Sequence, residues 1–73
     1  MVMARYPSLA AINRRIAKVA PDTELVRGEG YYYLVFDDGN RYETHSIMTA
    51  YLRNQTPEVW VKDAVDFRSE FGR

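Results

Sequence analysis

Residues 31–40 of the chain read Tyr-Tyr-Tyr-Leu-Val-Phe-Asp-Asp-Gly-Asn, a pattern typical of a strand that runs into a turn. Its first six residues favour a β-strand, because aromatic and branched side chains fit a pleated, half-buried surface. The Asp-Asp-Gly that follows is typical of a hairpin turn in which Gly39 takes the left-handed conformation. The sequence therefore predicts a β-hairpin whose first strand is 31–36.

The turn also indicates a register for this hairpin. A three-residue loop at 37–39 gives an apolar core face and an amphipathic reverse face. The core face would carry Tyr32, Leu34, Phe36 and Tyr42. The reverse face would carry Tyr31, Tyr33 and Val35 together with Arg41, Glu43 and His45. A two-residue loop at 38–39 would place charged residues in the apolar row, so we predict the three-residue loop with its bulge.

A helix is predicted before the hairpin. Ser8 is a suitable N-cap, and Pro21 ends the helix because it disfavours the helical conformation of Ala20. Between them an apolar stripe recurs at helical spacing. The stripe consists of Leu9, Ile12, Ile16 and Val19.

A second helix is predicted at the other end of the chain. Thr56 caps it and Pro57 occupies its first position. The negative charge of Glu58 interacts favourably with the helix dipole, and Gly72 is a natural stop. Its apolar side consists of Trp60, Val61, Ala64, Phe67 and Phe71.

The remaining segments are shorter. Residues 24–27 are predicted as a strand, 28–30 as a turn and 54–55 as a loop. Residues 46–52 are ambiguous between a short helix capped by Ser46 and the continuation of a long third strand. We predict the strand, with Met48, Ala50 and Leu52 on the core face.

The order helix, three antiparallel strands, helix predicts a two-layer α+β fold in a single domain, residues 1–73. Each helix has one apolar stripe, so both are expected on one side of the sheet. The opposite face, which carries Tyr31 and Tyr33, would then stay open to water or to a partner.

Composition excludes several classes of protein. The 73 residues include ten Lys and Arg, ten Asp and Glu, one His and no Cys. Disulfides and thiolate metal sites are therefore excluded, and no apolar run is long enough to cross a bilayer. We expect a soluble cytoplasmic protein without a cofactor or a bound metal ion.

Charge is distributed unevenly along this neutral chain. Residues 1–27 have a net charge of +3, residues 28–43 have −3, and residues 44–73 are balanced. The sequence therefore predicts a basic first helix and an acidic hairpin. A partner protein can be steered by such a surface, whereas nucleic-acid domains usually carry an excess of positive charge.

Candidate catalytic groups are few. His45 is the only histidine, and no cysteine accompanies it. We interpret His45 as a partly exposed strand residue and Asp37-Asp38 as turn residues, because Asp is favoured in turns. Gly28-Glu29-Gly30 is too short for a phosphate-binding loop. We therefore expect no enzyme activity.

Two surfaces are candidates for binding a protein. One is the basic helix face formed by Arg14, Arg15 and Lys18, which could equally be a solvated face. The other is the amphipathic face of the sheet with Tyr31, Tyr33 and Arg41, because tyrosine is favoured at interfaces. Base stacking on the tyrosines is the competing interpretation, and the surrounding acidic residues argue against it.

The segment Val26-Arg-Gly-Glu-Gly-Tyr-Tyr-Tyr33 resembles a segment of small phage and prophage proteins. In those proteins it is followed by a turn, a strand and a helix entered just before a tryptophan. Here Leu52 and Trp60 stand at the corresponding anchor positions with Thr56 between them, so the resemblance covers residues 16–71. It implies a strand over 44–52 and no catalytic motif.

In length and charge balance the chain is also similar to small transcription regulators of Xanthomonas lytic phages. That likeness implies binding to host RNA polymerase, including the N-terminal region of its β′ subunit. It further implies inhibition of initiation by σ displacement, and antitermination. The alternative is a phage DNA-binding or structural adaptor protein. A monomer is expected, with dimerisation through Tyr31 and Tyr33 left open.

Overall fold

The computed structural model describes residues 6–71, which form two helices over a three-stranded antiparallel sheet. The elements are α1 (Leu9–Val19), β1 (Thr23–Arg27), β2 (Tyr32–Asp37), β3 (Tyr42–Ile47), a 3₁₀ turn (Leu52–Asn54) and α2 (Pro57–Ser69). The strands lie in the order β1-β2-β3. The predicted α+β fold is confirmed. The stop predicted at Gly72 lies outside the described residues.

Both helices begin where their caps predict. The Ser8 hydroxyl accepts the N–H of Ala11 at 3.1 Å, and the Thr56 hydroxyl accepts the N–H of Val59 at 3.2 Å. Each cap thereby satisfies a main-chain donor that has no partner within its helix.

The core lies between the sheet and both helices. Its largest buried side chains are Ile12, Ile16, Leu25, Leu34, Phe36 and Trp60. Because α1, α2 and alternate residues of β1 and β2 all contribute to this one cluster, the helices lie on the same side of the sheet. One residue of the predicted stripe departs from it: Val19, in the last turn of α1, is 55% exposed.

A tight turn joins β1 to β2. The Gly28 N–H donates to the Tyr31 carbonyl at 2.8 Å, and Gly30 has a φ of 78°. Gly28 lies under the Tyr31 ring, where an added Cβ would come within 2.7 Å of ring carbons. This turn therefore favours glycine at 30 for its left-handed conformation, whereas a side chain at 28 would require the Tyr31 ring to move.

The loop between β2 and β3 differs from the prediction. Asp37 pairs with Tyr42, which leaves a four-residue loop at 38–41 in place of the predicted three-residue loop. The Asp37 carboxylate accepts the N–H of Gly39 at 3.0 Å. The Asp38 carboxylate accepts the N–H groups of Asn40 and Arg41, both at 2.9 Å. These bonds stabilise the longer loop, in which Gly39 takes the expected left-handed φ of 90°.

The longer loop turns every side chain of β3 to the face opposite the predicted one. Tyr42, predicted in the core, lies on the open face and is 64% exposed. Glu43 and His45, predicted on the reverse face, lie on the helix side of the sheet opposite Phe36 and Leu34. The predicted register is therefore wrong by an odd number of residues.

The strand predicted through residue 52 ends at Ile47, so that prediction is also wrong. Met48, assigned to the core face, is 82% exposed. Leu52 does pack against the core, but from the 3₁₀ turn. Its carbonyl accepts the Tyr6 hydroxyl at 2.9 Å and the Trp60 indole N–H at 2.8 Å, which holds this segment beside α2 and away from the sheet.

Candidate protein-binding surface

The face of the sheet opposite the helices is uncovered in the described structure and forms the candidate surface, here called the open face. Side chains alternate along a strand, so the residues between the core positions point to this side. Its apolar members are Val26, Tyr31, Tyr33, Val35 and Tyr42. Tyr33 stands beside Val26 of β1, and its ring centroid lies 5.9 Å from that of Tyr31. The rings and valines form one continuous patch.

One end of the open face is acidic. Glu24 stands opposite Val35, and Asp37 stands opposite Tyr42. These four residues, with Tyr33, line one shallow groove. The patch thus combines an apolar centre with a carboxylate end, an arrangement suited to a protein partner with an apolar anchor beside a basic group.

The hairpin loop adds a further carboxylate at this end. Asp38 accepts two main-chain N–H groups, and these bonds hold the pKa of its carboxyl below the usual range. The bond from Asn40 has the larger effect and the bond from Arg41 adds to it. Asp38 therefore remains ionised through neutral pH and adds to the acidic character of the hairpin.

Arg41, predicted at the open face, lies elsewhere. Its Nε donates to the Glu43 carboxylate at 3.0 Å, and its guanidinium carbon lies 4.7 Å from the centroid of the Phe71 ring. Both partners are on the helix side of the sheet, so the corrected register removes Arg41 from the candidate surface. Tyr31 and Tyr33 lie on the open face as predicted.

The basic helix face is less uniform than the sequence indicated. Arg14 and Lys18 are exposed, while Arg15 lies 3.5 Å from the Glu58 carboxylate at the start of α2. Arg14 borders a shallow depression that also includes Glu24. Of the three cations, Arg15 therefore has a carboxylate partner, which weakens this face as a binding site for an anionic partner.

Sequence reasoning missed a second groove, between β3 and α2. His45 stacks on the Phe67 ring with centroids 5.9 Å apart, and Ile47 lies beside them. Asp63 and Asp66 of α2 line the same groove together with Glu70, which follows the last residue of the helix. Their spacing of three and four residues on one helix flank was the available signal. The predicted register concealed it by placing His45 on the other face.

Two further properties of residues 6–71 bear on chemistry. This part of the chain has no group of three or more His, Asp or Glu residues arranged to hold a metal ion. In the same range, no helix has the length and apolar character needed to cross a membrane.

Comparisons of the chain with models of protein families, with curated proteins and with solved structures found no match. Any functional conclusion therefore rests on the surfaces described above and on the sequence resemblance.

Proposed function

We propose that the chain is a non-enzymatic regulator that binds a partner protein on the open face of its sheet. The observation that carries this proposal is a patch of three tyrosines and two valines that neither helix covers. Aromatic residues are enriched at the centres of protein interfaces, and contiguous apolar patches on small proteins often mark binding sites.

Charge favours a protein over a nucleic acid as the partner. Glu24 and Asp37 border the apolar centre, and Asp38 lies in the adjoining loop. Phosphates would be repelled from this end of the face. The exposed cations Arg14 and Lys18 belong to α1, outside the open face, and are too few for strong phosphate binding by themselves.

The resemblance of residues 26–33 to phage and prophage proteins suggests which partner to test first. We propose host RNA polymerase in the bacterial cytoplasm, with the N-terminal region of β′ as the contact. Binding there would displace σ and inhibit initiation, and continued attachment during elongation would promote antitermination. The alternative, a DNA-binding or structural adaptor, is addressed by the same experiment.

The test is co-purification of polymerase with tagged protein from a bacterial extract, followed by affinity measurement with the purified enzyme. Tyr42→Ser is expected to weaken binding at least about tenfold, because tyrosines at the centre of an interface are frequent hot spots and truncating a hot spot costs about 2 kcal/mol or more. Tyr42 is 64% exposed, so this variant should fold normally. Tyr51→Ser is the matched control, because Tyr51 is 55% exposed and lies outside the open face.

Three results would contradict the proposal in different ways. Retention of no polymerase subunit would reject the partner. Equal affinities for Tyr42→Ser, Tyr33→Ser and the unmodified chain would reject the open face. A mobility shift of duplex DNA at about 50 mM salt, where phosphate contacts are strong, would favour the DNA-binding alternative.

A further inference from the structure

The two edges of the sheet differ. At the β1 edge, the Asn13 side chain of α1 accepts the N–H of Leu25 at 2.7 Å and donates its amide to the Leu25 carbonyl at 2.9 Å. A side-chain amide thus takes the place of a neighbouring strand there. At the β3 edge, no side chain of residues 6–71 makes such a bond to the main chain of the strand.

Along a strand, the main-chain N–H and C=O groups of successive residues point alternately to one side and to the other. This alternation shows which groups of β3 point away from β2. Gly28 bonds to the Tyr31 carbonyl, and Asp37 bonds to the Asp22 carbonyl, so β2 uses its odd-numbered residues to pair with β1. Its even-numbered residues therefore bond to their partners in β3, which are Glu43, His45 and Ile47. The N–H and C=O groups of Tyr42, Thr44 and Ser46 consequently point away from the sheet.

β3 is also the strand with the least burial. β1 and β2 each bury alternate side chains, whereas no side chain of β3 is fully buried. The strand contains no proline or lysine, and its pairing with β2 continues without a bulge. Proline, lysine and bulges are usual devices that protect a sheet edge from pairing with another chain, as are inward-pointing charges; the one acidic side chain of β3, Glu43, faces the helix side and is paired with Arg41. This edge therefore remains available for another strand.

The groove beside this edge has a defined chemistry. His45, Ile47 and Phe67 supply an aromatic and apolar floor, and the flank of α2 supplies three carboxylates.

The three carboxylates differ in their partners. Asp66 forms an ion pair with Lys62 at 2.7 Å, and this hydrogen bond raises the pKa of the Lys62 ammonium. Asp63 accepts the Gln55 amide at 3.1 Å and makes no ion pair among residues 6–71. Glu70 makes no ion pair among residues 6–71. Asp63 and Glu70 therefore give the groove net negative charge.

We propose that the β3 edge binds an extended peptide segment of a partner protein as a fourth, antiparallel or parallel strand, with Lys or Arg at alternate positions. The main-chain groups of Tyr42, Thr44 and Ser46 pair with the peptide backbone. Alternate peptide side chains face α2, where the carboxylates of Asp63 and Glu70 attract basic groups.

Charge complementarity selects a basic peptide over a second copy of this chain. A second copy pairing through its own β3 would bring its α2 carboxylates toward those of the first, and like charges would oppose the pairing. The edge site does not depend on the open face, because it uses the main chain of β3 and the helix side of the sheet.

The probe is a capped peptide of about ten residues with alternating lysine and threonine. At a peptide concentration of about ten times its Kd, amide exchange of Thr44 and Ser46 is expected to slow about tenfold. Exchange of His45 should change little, because its N–H already bonds to Leu34. Two control peptides, one with glutamate replacing lysine and one N-methylated at alternate main-chain nitrogens, should bind at least about tenfold more weakly.

Variants of the protein separate the main-chain and charge contributions. Thr44→Pro removes an N–H that points away from β2, so it should leave the fold intact and weaken peptide binding at least about tenfold. Asp63→Asn with Glu70→Gln should weaken binding about threefold per carboxylate at low salt, the range of exposed ion pairs. Glu29→Gln with Glu58→Gln changes the net charge equally, at positions that line neither the groove nor the open face, and should leave binding unchanged.

Several outcomes would overturn this inference. Unchanged exchange at Thr44 and Ser46 with saturating lysine peptide would reject the edge. Equal binding of the glutamate peptide would reject the role of the carboxylates, and concentration-dependent dimerisation protected at Thr44 would assign the edge to a second copy. The proposed function is tested separately, because Tyr33→Ser alters the open face and leaves the β3 main chain unchanged.

Discussion

Asn13 shows how much one polar residue can contribute to a small sheet. It lies in α1 between the buried residues Ile12 and Ile16 and replaces a missing strand along β1 through two hydrogen bonds to Leu25. In the sequence it is an ordinary polar residue at the border of an apolar stripe. Its role depends on the docking of α1 against β1, which helical periodicity alone does not describe.

Asn13→Leu is expected to destabilise the protein by about 1–3 kcal/mol, because the N–H and C=O groups of Leu25 would lose their partners. Urea unfolding followed by circular dichroism measures this loss. Asn40→Leu, in the exposed hairpin loop, is the control and should change stability by less than about 0.5 kcal/mol. Equal effects of the two substitutions would contradict the edge-covering role of Asn13.

At the scale of secondary-structure elements, local signals predicted the helices better than the hairpin. Ser8 and Thr56 fixed the starts of both helices because cap chemistry is local. Asp37-Asp38-Gly39 indicated a turn but did not determine its length. The longer loop depends on the bonds of both aspartate side chains to main-chain N–H groups.

The error in the candidate site follows from that loop. Tyr31 and Tyr33 lie on the open face as predicted, since they belong to β2 and keep their alternation from the core residues. Tyr42 changes sides because it follows the loop, and a shift by an odd number of residues reverses every side chain beyond it. Arg41, the last residue of the loop, contacts Glu43 and Phe71 on the helix side. β3 ends at Ile47, and the hydrogen bonds of the Leu52 carbonyl with Tyr6 and Trp60 hold the segment that follows beside α2.

The hairpin loop should respond to acid through Asp38. Its pKa is lowered in the folded protein, so the charged carboxylate stabilises the loop above the unfolded pKa, and this contribution is lost as the pH falls through the folded pKa. The melting temperature of Asp38→Asn should therefore be lower than that of the unmodified chain at about pH 7. The difference should disappear at about pH 2.

The control for this titration is Glu29→Gln, whose carboxylate makes no hydrogen bond among residues 6–71. Its melting temperature should stay close to that of the unmodified chain at both pH values. A difference between Asp38→Asn and the unmodified chain that persists undiminished in acid would contradict a charge-dependent loop.

At the scale of the whole molecule, both helices are used to bury one side of the sheet. A chain of 73 residues has few elements with which to cover a second side. The uncovered side carries the tyrosine patch, and the exposed β3 edge lies next to it. Although the net charge is zero, the charges are separated: Glu24 and Asp37 lie at one end of the open face, and the exposed cations lie on α1. We therefore propose that the two exposed surfaces, the open face and the β3 edge, are the binding sites of this protein.

The most direct test of the open face is amide chemical-shift mapping of the protein with the isolated N-terminal region of β′. Residues Val26, Tyr33, Val35 and Tyr42 are expected to show the largest changes, because their side chains form the apolar centre of the face. Amides of Arg14 and Lys18 should shift little. Changes confined to α1, with none at Tyr33 or Tyr42, would contradict the proposed binding surface.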